Sequence, residues 1–166
     1  MRLIKTLGAG LGIALILAAG GCSPHAAAGG AMAPAASAAV HPISGLGVIP
    51  LSVTSAGKVH RFRVEFARSD AEQEKGLMFR TAMGADEGMI FPMNPPRPAA
   101  FWMRNTVIPL DIIFIGRDHR ILNIAANAVP YDETPLPSVG AASGVLELNG
   151  GRAAALGIGP GDRVDW

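Results

Sequence analysis

Residues 101–115, Phe-Trp-Met-Arg-Asn-Thr-Val-Ile-Pro-Leu-Asp-Ile-Ile-Phe-Ile, constrain this chain more than any other stretch. They join one of the two tryptophans, a polar knot Arg104-Asn105-Thr106 and an apolar run broken by a single charge, Asp111. A carboxylate among such neighbours needs donors or must stay neutral, because an unpaired buried charge costs several kcal/mol. Any chemistry is therefore expected around that knot, although no reaction can be read from the residues themselves.

The rest of the composition favours short strands over long surface helices. Of 166 residues, 21 are glycine and 13 proline, and only 16% are charged, which suits one β-rich domain with a tail. A net charge of +1 leaves no basic stripe, so nucleic acid is not an expected partner.

The N-terminus reads as an export signal. Arg2 and Lys5 precede an apolar stretch over 7–19, the length of a signal core and too short to span a bilayer. It ends in Ala-Ala-Gly-Gly-Cys22-Ser, which resembles the bacterial lipoprotein box, with Ala19 where leucine is usual. The alternative is ordinary cleavage after a small residue such as Ala28. The expectation is a signal peptide over 1–22, lipidation at Cys22, and a periplasmic or cell-surface protein held at the membrane interface by its lipid. Cys22 is the sole cysteine, so the folded domain has no internal disulfide, catalytic thiol or zinc–thiolate site. Residues 23–47 are mostly Ala, Gly, Pro and Ser, and are expected to form a flexible linker with His25 and His41 solvated in it.

From residue 48 to 166 the pattern is that of a single β domain. Strands are expected over 48–53 and 59–66, the second with Arg61, Arg63 and Glu65 outward and His60, Phe62, Val64 and Phe66 inward. His60 should be partly buried and hydrogen-bonded. Residues 68–76 read as a short helix, with Ser69 or Asp70 as cap and Gly76 as stop. Further strands are expected over 88–91, 101–103, 110–115, 121–128, 145–148 and 163–166. Residues 92–98, with four prolines, should form a loop or an edge, and His119 should sit exposed in a turn. One helical turn is expected over 152–156. About eight short strands without strand–helix alternation mean a mainly β fold, either a jelly-roll-like β-sandwich or a partly closed barrel with one or two short helices.

The ordered motifs Gly76-Leu-Met-Phe-Arg80, Gly88-Met-Ile-Phe91, Phe101-Trp-Met-Arg-Asn-Thr-Val-Ile-Pro-Leu-Asp111-Ile-Ile-Phe, Val145-Leu-Glu-Leu-Asn-Gly150 and Gly161-Asp162 resemble the domain of unknown function 192 family. The resemblance covers residues 51–164 and implies a jelly-roll-like β domain, often exported or lipid-anchored, with no established reaction. Ala141-Ala-Ser-Gly144 departs from it, standing where a bulkier, more polar entry to the next strand is typical.

Three chemistries deserve weighing. Arg80, Trp102, Arg104, Asn105, Thr106, Asp111 and Glu147 form a candidate ligand-binding set, with Trp102 as a stacking platform for a small polar or sugar-like molecule. The bland alternative is that Asp111 and Glu147 accept backbone N–H groups and an arginine, and merely pin loops. Hydrolysis by paired carboxylates among Asp111, Glu147 and Asp162 is the second possibility, in the manner of glycosidases. Methionine-based Cu(I) binding through Met78, Met83, Met89, Met93 and Met103 is the third, against the simpler role of core filling. No serine-nucleophile elbow, zinc-protease helix motif or lysine-bearing phosphate loop is present. The favoured expectation is a non-catalytic binding or interaction module at the cell envelope. It would have no cofactor or metal, and its partner would be a small polar ligand or an envelope protein.

Overall fold

The computed structural model describes residues 39–166. The expected signal peptide, Cys22, His25 and the first part of the linker lie outside the described residues.

Alternating side chains build the strands that the sequence pattern anticipates. The first two are β1 (Val48–Ser55) and β2 (Lys58–Phe66), paired antiparallel across the Ala56-Gly57 turn. After them come α1 (Asp70–Lys75), β3 (Glu87–Phe101), β4 (Leu110–Ile115), β5 (Ile121–Ala128), β6 (Leu136–Asn149), α2 (Arg152–Leu156) and β7 (Arg163–Asp165). All seven strands form one curled sheet in the order β5-β4-β6-β3-β2-β1-β7, a half-barrel rather than a sandwich. Its two edge strands meet at one end: Ile121 N donates to Asp162 O and Val164 N to His119 O. Every ladder is antiparallel except β2–β3, where the long connection through α1 permits parallel pairing.

The central strands are apolar on both faces, which is why all of β4 is buried. Along β3, Met89 and Phe91 face one core cluster while Ile90 faces the other. Along β4, Leu110, Ile112 and Phe114 join the first set, and Ile113 and Ile115 the second. The concave cluster also holds Val53, Phe62, Val64, Leu148 and Val164, closed over by Ala153 and Ile158. The other is covered by α1 and its following loop, through Leu77, together with the Met93–Ala99 arm and Met103. At Gly88 the β3 backbone passes β6 too closely for a side chain, since a Cβ there would collide with the Glu147 carbonyl.

Several expectations are revised. The proline-rich segment 92–98 belongs to the 15-residue β3 and pairs with β6 through two register shifts. It tolerates its prolines because beyond Ile90 it has no partner on the β2 side, so it forms an edge. Residues 102–103 are not strand: β3 ends at Phe101, and Met103 N turns away to Asp132 O. His119 is half-buried, not exposed, and stacks on Trp166 at 4.7 Å between ring centroids. His60, expected to be partly buried and hydrogen-bonded, is buried, but its Nε2 has no hydrogen-bond partner among the described residues.

The linker boundary shifts as well, because residues 39–47 are part of the fold. Val40 bridges to Gly47, and Val48 N donates to Ala39 O. His41 lies 3.7 Å from Glu65 and 3.4 Å from Arg80, so it is not a solvated bystander. The Ser44 hydroxyl donates to the same Glu65 carboxylate. Glu65 itself is buried, against the expectation that it faces outward, because Arg80 meets it with two bonds of 2.8 and 3.1 Å.

Candidate functional site

Asp111 and Glu147 are the two lone acids of the apolar strands, and their fates differ. In the β4–β6 ladder Asp111 lies opposite Leu148, and Glu147 opposite Ile112. Directly opposed residues share a face, so Asp111 points to the concave core and Glu147 to the other side of the sheet. The two carboxyls therefore cannot act as a pair on one substrate, which removes the geometric basis for hydrolysis by Asp111 and Glu147.

Asp111 is completely buried and fully satisfied. One carboxylate oxygen accepts from Asn127 N at 2.7 Å and Gly151 N at 2.9 Å, and the other from Ala153 N at 2.7 Å. It thus ties β5 to the start of α2, supplying the acceptor that the Gly151 N-cap lacks. No arginine takes part.

Glu147 is 5% exposed and makes no hydrogen bond to any described residue, yet it lies on the floor of a pocket of about 250 Å³. Burial alone pushes its carboxyl up to about 8, so it is mostly protonated at neutral pH. Phe91, Met93 and Phe101 wall the pocket from β3, and Leu77 and Met78 from the loop after α1. Phe101 sits edge-on between Phe91 and Phe114, at centroid distances of 5.2 and 6.1 Å. Helix α1 forms one side. Its capping box joins Ser69 and Glu72, and the Gln73 amide clamps it to β3 by donating to Pro92 O at 3.0 Å and to the chain leaving β2 through Ala67 O at 3.2 Å. Gly76 lets the chain pass the Phe91 ring, where a Cβ would stand 3.4 Å away and φ is +46°.

The mouth carries charge. Lys75 from α1, Arg97 from β3 and Arg104 from the β3–β4 loop line it, with Glu74 as the other acid. Arg104 stacks on the Trp102 ring at 4.5 Å and pairs with Glu133 at 2.8 Å, both in solvent. Trp102 is 48% exposed. The hydroxyl of buried Thr106 donates to Arg104 O, which shapes the loop.

Of the seven residues expected to bind a ligand, Trp102, Arg104, Thr106 and Glu147 line this pocket. Asp111 is on the opposite face, Arg80 is engaged with Glu65, and Asn105 does not line the pocket, its exposed amide donating instead to Met78 Sδ at 3.8 Å. Sequence reasoning missed Lys75, Arg97 and the aromatic walls, although Phe91 and Phe101 were each legible as strand residues. Among the expected copper ligands, Met78 and Met93 line the pocket, whereas Met89 and Met103 are packed in the core. Among the described residues no three His, Cys, Asp or Glu side chains converge as a metal site.

A seven-stranded half-barrel with an acid-floored pocket on its outer face defines a small, mainly β domain. The chain belongs to the family described as DUF192, uncharacterized ACR, which matches residues 51–166. The crystal structure of a protein of unknown function from Novosphingobium aromaticivorans DSM 12444 is 66% identical, with a TM-score of 0.76, over 77% of this chain and 91% of that one. A putative transcription regulator from Sinorhizobium meliloti 1021 is 40% identical, with a TM-score of 0.71, over 72% of this chain and 94% of that one. No curated protein matches the chain.

Proposed function

We propose that this protein is a non-catalytic binding module of the cell envelope, and that the Glu147 pocket is its ligand site. One observation carries the reading: Glu147 is a nearly buried carboxyl with no hydrogen-bond partner among the described residues, lining an open cavity. Folding gains nothing from such a group, and strongly perturbed acids in clefts concentrate at functional sites. The cavity suits a small molecule that hydrogen-bonds to Glu147 and lays an apolar face against Phe91, Phe101 or Trp102. A thermal-shift screen of sugars, amino acids and organic acids tests this. A true ligand raises the melting temperature of the wild type but not of Glu147→Leu. If every compound leaves the wild type unchanged, or shifts both proteins equally, the reading fails.

Export and anchoring belong to the same proposal. Arg2, Lys5, the apolar stretch over 7–19 and Cys22 support a lipid-tethered protein. Palmitate labelling should be abolished by Cys22→Ala, whereas an unlabelled wild type would refute the anchor.

A further inference from the structure

The pocket combines two features that no single charge on a ligand would satisfy. Its floor is one carboxyl with no donor, set among Phe91, Phe101, Met93 and Met78. Its mouth is mainly cationic: Lys75, Arg97 and Arg104, exposed residues from three different elements, line it. Glu74 is the only other charged residue lining the cavity, and Glu133 already holds Arg104 in an exposed pair. An ammonium group is a strong complement to a carboxyl in an aromatic cavity, because the ring faces attract it and the carboxylate accepts its hydrogen bonds. A purely cationic ligand would have to pass the basic mouth, whereas an anionic group left at that mouth would be held by it.

We infer that the ligand is a small zwitterion, with an amine reaching Glu147, an apolar stem along the pocket wall and an anionic group at the Lys75–Arg97–Arg104 rim. The inference rests on the binding reading above and names the ligand class for that same site. On binding, Glu147 gives its proton to solvent and pairs with the ammonium as a carboxylate. Affinity for an amine therefore rises with pH until Glu147 is ionised in the free protein.

Three probes of equal chain length separate the contributions: 6-aminohexanoate, hexylamine and hexanoate, each titrated calorimetrically into the full chain. The zwitterion is expected to bind about tenfold or more tighter than either half. Glu147→Gln lowers affinity for both amines at least about tenfold and spares hexanoate, because the amide cannot carry the negative charge. Lys75→Gln with Arg97→Gln, both on the surface and harmless to folding, weakens 6-aminohexanoate and leaves hexylamine unchanged or improved. Three results overturn the inference: hexanoate binding more tightly than 6-aminohexanoate, full zwitterion binding by Glu147→Gln, or no zwitterion binding at about 10 mM. Hexanoate or a sugar binding in a Glu147-dependent way would leave the binding module standing and remove only the zwitterion. Failure of every probe and of the thermal-shift screen would remove both.

Discussion

Asp111 and Glu147 sit one ladder position apart on neighbouring strands, yet they solve the problem of a buried acid in opposite ways. Asp111 faces the concave core and receives three backbone N–H groups, so its charge is matched and its role is to hold β5 and α2 in place. Glu147 faces the outer layer, receives none, and is left protonated beside a cavity. The same residue class on the same small stretch of sheet is in one case a structural tie and in the other a carboxyl beside a cavity with no hydrogen-bond partner among the described residues. An acid's surroundings, and not its presence in an apolar strand, decide which it becomes.

The comparison can be broken at several points. The largest effect is expected at Asp111. Replacing it with Ala leaves a cavity and removes the acceptor of three backbone N–H groups, that of Ala153 buried, and should cost about 3–5 kcal/mol of stability, and Asn, which keeps one good acceptor, about 1–3. Chemical denaturation measures both, and an unchanged midpoint for either would deny Asp111 its structural role.

Next in size is the pH dependence due to Glu147. Its folded pKa of about 8 lies above the ordinary value of 4.5, so the unfolded chain loses its proton first as pH rises. Stability from this group is whole below pH 4.5 and declines up to pH 8, by roughly 1 kcal/mol per unit. Glu147→Gln should flatten that decline and be the more stable protein at pH 8. Parallel pH curves for the two proteins would put Glu147 in an ordinary environment.

A smaller effect belongs to the helix that walls the pocket. Ser69→Ala removes the cap of α1 and should cost about 1 kcal/mol, with ligand affinity falling alongside if α1 positions Lys75. The smallest is Glu133→Gln at the mouth. That ion pair is exposed, so its loss should leave stability almost unchanged, and high salt should erase any difference. A larger change would mean the mouth is more tightly organised than its exposure implies.

Much of this was legible before the structure. A lone acid inside Leu-Asp-Ile-Ile-Phe-Ile signals a need for donors, and the alternating and capping patterns located β2, α1 and the turn at 116–119. The donors to Asp111 were not legible, because they come from 16, 40 and 42 residues away and include the backbone of a helix start. The pairing of Asp111 with Glu147 as a hydrolytic dyad failed for a related reason. Facing depends on the β4–β6 register, which one sequence does not print. The pocket itself is assembled from α1 and the loop after it, β3 from Phe91 onward, the β3–β4 loop and one residue of β6, so it exists only once the proline-rich segment is seen to pair with β6. Residues 39–47 were hidden by composition: Ala, Gly, Pro and Ser suggest a linker, while His41 and Ser44 dock onto the Glu65–Arg80 pair.

The ionisation of the Glu147 side chain, followed by carboxyl-carbon NMR in the ligand-free protein, tests the account at its centre. A resonance that stays in the protonated position through neutral pH and moves only near pH 8 is predicted. Titration near the ordinary 4.5 would mean that the carboxyl is already hydrated or paired, and the case for an acid held in reserve for a ligand would be lost.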